Sequence, residues 1–386
     1  MIYADNAATT RLDPQALEAM LPYLTEEYAN PSQPYSFSRE SKRALRRARE
    51  TIAGLLGAEP GEIFFTSGGT ESDNWAVKGT QNAGKRHIIA GAVEHHAVLN
   101  ACEAMKRQDF EITVLTAESD GTILPETLRK CLREDTALVT VHLANNETGV
   151  IEPIAELAAL AHERGALFHS DAVQAVGHIP VKIRELGVDL LSASAHKFNG
   201  PKGIGFLYRK SGTPLLPYQD GGAQEMGSRA GTENVAAIVG MAKALELSVN
   251  TLAETAARLR TFERILLTGL EGTPFRYNGA QRHVPGNMSL SFRGFDGETI
   301  LHRMDLLGVC ISTGSACTSG RTSISHVLKA MGMDEEWARG TVRISLGRFN
   351  TEEEVREIAG HLREITKKTD SFAERVRKKR GTGRDI

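Results

Sequence analysis

The chain has 386 residues, and at about 150 residues per domain that length predicts two domains, or one large domain with an appendage. Hydrophobic residues make up 41% and charged residues 24%, which excludes a disordered chain and leaves material for a sizeable core. A net charge of -2, from 46 basic and 48 acidic residues, excludes a general polyanion binder. The N-terminal MIYADNAATTRLD lacks the apolar core of a signal peptide. A helix carrying Leu45, Ala48, Ile52 and Leu55 on one face is expected to stop at Gly57. Ile63 to Asn74 reads as a strand, a glycine turn and a helix start. Strands are then predicted over Arg86–Ala90, Glu111–Leu115, Ala137–Leu143, Ala166–Ser170, Val188–Ala195 and Gly203–Tyr208. Each is short, apolar and often β-branched. One intervening helix starts at Pro153, carries Ile154, Leu157, Ala158 and Ala161, and stops at Gly165. Strands alternating with helices imply a largely parallel sheet covered on both faces.

After about residue 245 the pattern changes. A long helix from Ala242 to Leu270 precedes strands at Met288–Phe292 and Val342–Leu346, which reads as a second, α+β domain. The basic tail Arg375–Arg384 is expected to be a solvated, frayed terminus, with a nucleic-acid arm as the weaker alternative. No apolar run reaches the ~18 residues of a spanning helix. The four cysteines, at 102, 131, 310 and 317, form no CxxC pair, so neither a disulfide scaffold nor a zinc ribbon is expected. A cytoplasmic protein with reduced thiols and no metal follows from these features.

Some short patterns mislead. Gly79 to Lys85 spells most of a P-loop, but Arg86 stands where a Ser or Thr would hold magnesium. Ser194-Ala-His-Lys197 spells S-x-x-K, yet its order relative to Ser72-Asp-Asn74 is reversed from the β-lactamase order and no K-T-G exists. No G-x-G-x-x-G occurs.

What remains is polar residues at strand ends. The glycine turn before Thr70 offers backbone N–H groups and a helix dipole to a phosphate, although a simple capped helix would look the same. Asp171 follows an apolar strand, where a helix N-cap is the simple reading and a carboxylate with a positive partner the functional one. Lys197, at the mouth of a parallel sheet, is a candidate Schiff-base amine; a surface lysine is the default for any single Lys. Together these three would gather at one carboxyl edge, where such sheets bind ligands. Phosphate, ring nitrogen and aldehyde are the handles of pyridoxal phosphate.

On these residues the chain resembles the cysteine desulfurases, enzymes of the class V aminotransferase fold that serve iron–sulfur cluster assembly and related sulfur transfer. The resemblance runs from Tyr3-Ala-Asp-Asn-Ala-Ala-Thr-Thr10 to Val342-Arg-Ile-Ser-Leu-Gly347, through FTSGGTESDN, EHHAVL, NNETG, DAVQAVG, SASAHKFNGPKG, SRAGTEN and GSACTSG. It implies an α/β chain of fold type I, with a large domain over residues 13–252 and a mainly parallel sheet. Residues 1–12 and 253–386 form a smaller α+β domain. It implies pyridoxal 5'-phosphate, joined to Lys197, with Asp171 on the pyridine nitrogen and Gln174 on the ring hydroxyl. Gly69, Thr70, Ser194 and His196 then hold the phosphate, and Thr232 reaches it from the other subunit of a homodimer. His95 stacks on the ring and moves protons, Asn145 contacts cofactor or substrate, and Arg343 grips the substrate carboxylate. The substrate is L-cysteine, the products are L-alanine and a persulfide, and the sulfur passes to an acceptor such as a cluster scaffold or sulfur carrier. A membrane or nucleic-acid partner is not expected. Tyr35 and Ser38 depart from the family, which usually has His and Gly there.

Cys317 lies in Ser312-Thr-Gly-Ser-Ala-Cys-Thr-Ser-Gly-Arg-Thr-Ser323, a run of small residues that buries little apolar area and suits a mobile loop. A free cysteine is usually a small buried hydrophobe, but this one lacks apolar neighbours. In the family it is the nucleophile that takes the sulfur. Cys102 and Cys131, in helical patterns, and Cys310, in the strand-like run Leu306–Ile311, read as structural. The alternatives are a selenocysteine lyase or another class V enzyme, or a scaffold that binds partners without catalysis.

Overall fold

The computed structural model describes residues 1–80, 82, 84–313 and 324–381, with side chains described to residue 367. Strand β1 (Ile2–Tyr3) opens the chain. Seven strands follow: β2 (Ile63–Thr66), β3 (His87–Gly91), β4 (Glu111–Leu115), β5 (Thr136–Thr140), β6 (Leu167–Asp171), β7 (Leu190–Ser194) and β8 (Gly205–Arg209). They form one sheet in the order β2-β8-β7-β6-β5-β3-β4. β4, β3, β5, β6 and β7 pair in parallel, as the helix–strand alternation predicts. β8 runs antiparallel to both β7 and β2. The reason is chain length: residues 195–204 joining β7 to β8 contain only the short turn Ala195–Lys197, too little for the crossover that a parallel neighbour needs.

The helices cover this sheet. The helix Arg39–Leu56 buries Ala44, Leu45, Ala48, Ile52 and Leu56, and Gly57 ends it in the left-handed region at φ 73°. Leu55, expected on the inner face, is only half-buried, and Leu56 fills that position. The helix Ile154–Glu163 follows Pro153 and stops before Gly165, as expected.

Beyond the sheet lie β9 (Phe275–Asn278), β10 (Asn287–Phe292), β11 (Val309–Cys310), β12 (Ser312–Thr313) and β13 (Thr341–Ser345). β12-β13-β10-β9 form a four-stranded antiparallel sheet, and β1 pairs in parallel with β11. This sheet has its own apolar core, including Leu266, Met288, Leu290, Phe292, Ile344 and Ile358.

Two expectations fail here. The long helix from Ala242 to Leu270 is two helices, Val235–Asn250 and Leu252–Gly269, bent by 68°. Each half has a different core to fill. Met241 and Leu245 pack against the large sheet, whereas Phe262 and Leu266 pack with the small one. Leu306–Ile311 is not one strand: Leu306 ends the helix Gly297–Leu306 and is exposed, and only Val309–Cys310 is paired. Among the described residues no single helix is long and apolar enough to cross a membrane.

Candidate active site

The parallel strands deliver their polar residues to one edge. Asp171 ends β6 and Ser194 ends β7, while the turn Ala195–Lys197 carries His196 and Lys197 just past it. His95 lies past β3, and the turn after β2 leads into the helix Gly69–Gly79. These elements enclose a cavity of about 590 Å³. Gly69, Thr70, His95, Asp171, Gln174, Ser194, His196, Lys197 and Arg343 all line it.

The helix that begins at Gly69 has Gly68 at its N-cap and no side-chain cap, so the ordinary capped-helix reading fails. Its first N–H groups and its dipole face a pocket shared with Ser194 and His196. The backbone there is tightly packed. A Cβ on Gly69 would stand 2.5 Å from Val173 Cγ2, and one on Gly205 would stand 2.7 Å from Gly68 Cα.

Asp171 caps a turn, not a helix, and its side chain borders the cavity. Its Oδ1 accepts from Val173 N–H at 2.9 Å, capping the turn, and the residue is only 7% exposed while lining the cavity. Behind it sits Asp73, also in the lining, whose Oδ1 has no hydrogen-bond partner among the described residues. Burial, with the Asp171 carboxylate nearby, pushes the Asp73 pKa well up. Donor atoms of Asp73, His95 and Asp171 lie within 4.8 Å of one another, a spacing that could suit a metal. A carboxyl that favours its protonated form is a poor metal ligand, whereas the Asp171 carboxyl beside it is the residue type that meets a pyridine ring nitrogen. The uncapped helix start, the paired carboxyls and the lysine at the mouth therefore fit pyridoxal phosphate.

Lys197 Nζ donates to the carbonyls of Ala7 at 2.6 Å and Ala8 at 3.0 Å. His178 Nε2 meets the Lys197 carbonyl at 2.9 Å and fixes its backbone. Gln174 Nε2 donates to the same Ala7 carbonyl at 2.9 Å. His95 Nδ1 accepts from Ala97 N–H at 3.1 Å, so the neutral ring carries its proton on Nε2. Burial lowers the pKa of His95 and brings that of His196 to about 4. Both rings are thus neutral near pH 7.

One expectation needs correction. The Asn145 side chain is 1% exposed and does not line the cavity. Its Nδ2 donates to Val93 O at 2.9 Å, and its Oδ1 accepts from the N–H groups of Glu147 and Thr148 at 2.8 Å. The carboxamide oxygen closes the turn and its nitrogen ties the turn to Val93, and Asn146 takes the cavity position. Thr232 also lies outside this cavity, exposed beside a separate pocket. Cys317 lies outside the described residues. Cys102 is buried, which pushes its thiol up to about 12 and suits a structural role.

Sequence reasoning missed the layer behind the site. Glu94 Oε1 accepts from His142 N–H at 2.6 Å and lies 3.2 Å from its Nδ1, and Glu152 lies 3.8 Å from its Nε2. Burial disfavours the His142 imidazolium, but the two carboxylates outweigh it and push its pKa up to about 9. Glu94 was visible in the EHH run; nothing in the sequence places His142 or Glu152 against it. Asp5 and Glu147 were missed too, and both bear on Arg343.

The class-V aminotransferase family model matches residues 2–358. Cysteine desulfurase IscS of Dictyoglomus turgidum is 47% identical over 374 residues, covering 95% of this chain and 95% of the relative. Cysteine desulfurase IscS of Clostridium botulinum is 44% identical over 374 residues, covering 95% of this chain and 94% of the relative. Among solved structures, a NifS-like protein superposes with a TM-score of 0.89 at 38% identity, covering 94% of this chain and 98% of its own. SspA, solved in complex with cysteine, superposes with a TM-score of 0.81 at 34% identity, covering 91% of this chain and 100% of its own. With relatives this similar along nearly its whole length, the chain belongs to the class-V aminotransferase family, within its cysteine desulfurases.

Proposed function

We propose that this protein is a pyridoxal-phosphate-dependent cysteine desulfurase that moves sulfur from L-cysteine onto Cys317 and releases L-alanine. The observation that carries this reading is the convergence of Asp171, Lys197, His95 and the uncapped helix start at Gly69 on one cavity. Gly69, Thr70, Ser194 and His196 would hold the cofactor phosphate. Asp171 would pair with the ring nitrogen, Gln174 with the ring hydroxyl, His95 would pack on the ring, and Lys197 would carry the cofactor. Bound there, the cofactor supplies an electron sink for charge that develops on the substrate Cα. Lys197 moves the Cα proton, and the Arg343 guanidinium orients the substrate carboxylate. Asn146, in the lining, takes the contact that the family motif suggested for Asn145.

The sulfur step balances without an outside oxidant or reductant. The Cys317 thiolate attacks the substrate sulfur, the substrate C–S bond breaks, and a new S–S bond forms. Cys317 then carries the –S–SH group, and the substrate carbon takes up a proton and leaves as alanine. A sulfur-acceptor protein receives the persulfide, for iron–sulfur cluster assembly or related sulfur transfer. The same reading makes residues 13–252 the large domain, with 1–12 and 253–386 the smaller one. It assigns Thr232 to the cofactor phosphate of a second copy in a homodimer, and the protein to the cytoplasm. Replacing Cys317 with Ala and assaying sulfide and alanine from cysteine tests the nucleophile: full activity would refute it. The purified protein should be yellow, and borohydride should fix the cofactor on Lys197. Colourless protein that gains nothing from added pyridoxal phosphate would overturn the cofactor assignment.

A further inference from the structure

Arg343 sits in the middle of β13 and is 6% exposed, so its charge must be matched locally. Asp5 Oδ1 accepts from its Nη2 at 2.7 Å, and Asn146 O accepts from its Nη1 at 2.8 Å. Its Nε is buried with no partner among the described residues. Two nitrogens are thus anchored by this chain's own acceptors. The third is an unmet donor on a side chain that lines the cavity.

Asp5 can serve as an anchor because the two residues that follow it are held between β13 and the large-sheet residues of the cavity. Asn6 N–H donates to Ser345 O at 3.0 Å and Ala7 N–H to Ser345 Oγ at 2.9 Å. On the other side the Ala7 carbonyl accepts from Gln174 Nε2 and Lys197 Nζ. Released from Asp5, the guanidinium would meet a rival carboxylate. Glu147 lines the same cavity and is buried, and the charge of Arg343 already acts on it.

We infer that Asp5 is a positioning residue for substrate recognition: it holds the Arg343 guanidinium in the orientation that meets the substrate carboxylate, and it keeps Arg343 from pairing with Glu147. This rests on the reading of Arg343 as the carboxylate-binding residue. Pre-orienting a long side chain removes an ordering cost from binding.

The test compares the affinities of the holoenzyme for L-alanine and L-alaninamide by calorimetry, since only the first carries a carboxylate. D5N and D5S both leave the backbone bonds of the segment intact, so the second serves if the first fails to fold. Either should lose about tenfold or more of the parent's preference for alanine, the scale of one charged hydrogen bond. Cofactor content should match the parent, and D5E should restore part of the preference. A merely structural role would weaken both ligands equally. R343A separates the two claims. If R343A keeps the preference, the reading of Arg343 fails. If R343A abolishes it while the Asp5 variants keep it or weaken both ligands alike, the inference about Asp5 is wrong.

Discussion

Asp171 and Ser194 are the last residues of their strands, and His95, His142 and Lys197 lie just past theirs, whereas Arg343 reaches the same cavity from the middle of β13. At a parallel strand end the chain is already turning, so N–H groups, carbonyls and helix starts are available to satisfy a polar side chain. In a strand interior every backbone group is in the ladder, and a buried charge must find its partner elsewhere in the chain. Arg343 finds it in Asp5, 338 residues away in sequence. Asp171 and His95 are thus satisfied by backbone N–H groups two residues on, whereas Lys197 and Arg343 both reach to the N-terminal segment, at Ala7 and Asp5.

Removing a group from each side should separate these contributions. Lys197→Ala should lower desulfurase activity by ~10²–10⁴-fold, the range for loss of a positioned proton-transfer group. Borohydride should then fix no cofactor on the protein; activity within tenfold of the parent would contradict the role of Lys197. Arg343→Ala should weaken cysteine binding by about 30-fold or more, the scale of truncating a buried charge pair, with cofactor retained. Loss of cofactor together with cysteine affinity would mean that the two sheets are not separable.

Glu147 lies between the two regions and tests the electrostatics. Burial pushes its carboxyl from 4.5 up to about 7, although Ser325 donates to it at 2.5 Å. The folded state then holds this proton over a window where the unfolded chain has lost it. Glu147 therefore makes stability fall as pH rises from about 4.5 to about 7, with no further change above that window. Glu147→Gln should remove up to ~3 kcal/mol of that fall, read as a flatter melting-temperature profile across pH 5–8. An unchanged profile would mean that Glu147 is already ionised in the folded protein.

The smallest effect concerns the Asn145–Asn146 pair. Asn145→Ala should cost ~1–3 kcal/mol of stability, since it leaves the buried Glu147 and Thr148 N–H groups unmet. Asn146→Ala should leave stability nearly unchanged and alter ligand affinity. The reverse pattern would mean that Asn145, not Asn146, serves the ligand.

Much of the large sheet is legible in the sequence because short apolar runs between helical patterns have few other ways to bury themselves. Glu111–Leu115 is found with the bounds the sequence predicts, and the other parallel strands shift by a few residues. Lys197, Asp171 and Gly69 are legible because each ends such a run and lies in a distinctive motif. The Asn pair shows the limit: the motif marks both residues, and only the turn geometry decides which side chain faces inward. His142, Glu152 and Asp73 are ordinary polar residues in sequence, and only burial makes them unusual. The long helix misleads for a related reason. Its apolar content continues through Thr251, yet its two halves serve different cores.

The periodicities, the glycine turns and the motif residues can be read from the chain alone, because they follow from local backbone chemistry and residue type. The sequence also bears on chemistry through Cys317, whose small-residue surroundings are a property of composition. That β8 runs against its neighbours, that the helix breaks at Thr251, and that Asp5 meets Arg343 emerge from the folded arrangement. Each of these depends on which distant groups share a core or a cavity. Charges act through space, and no local pattern records where a partner 338 residues away will lie.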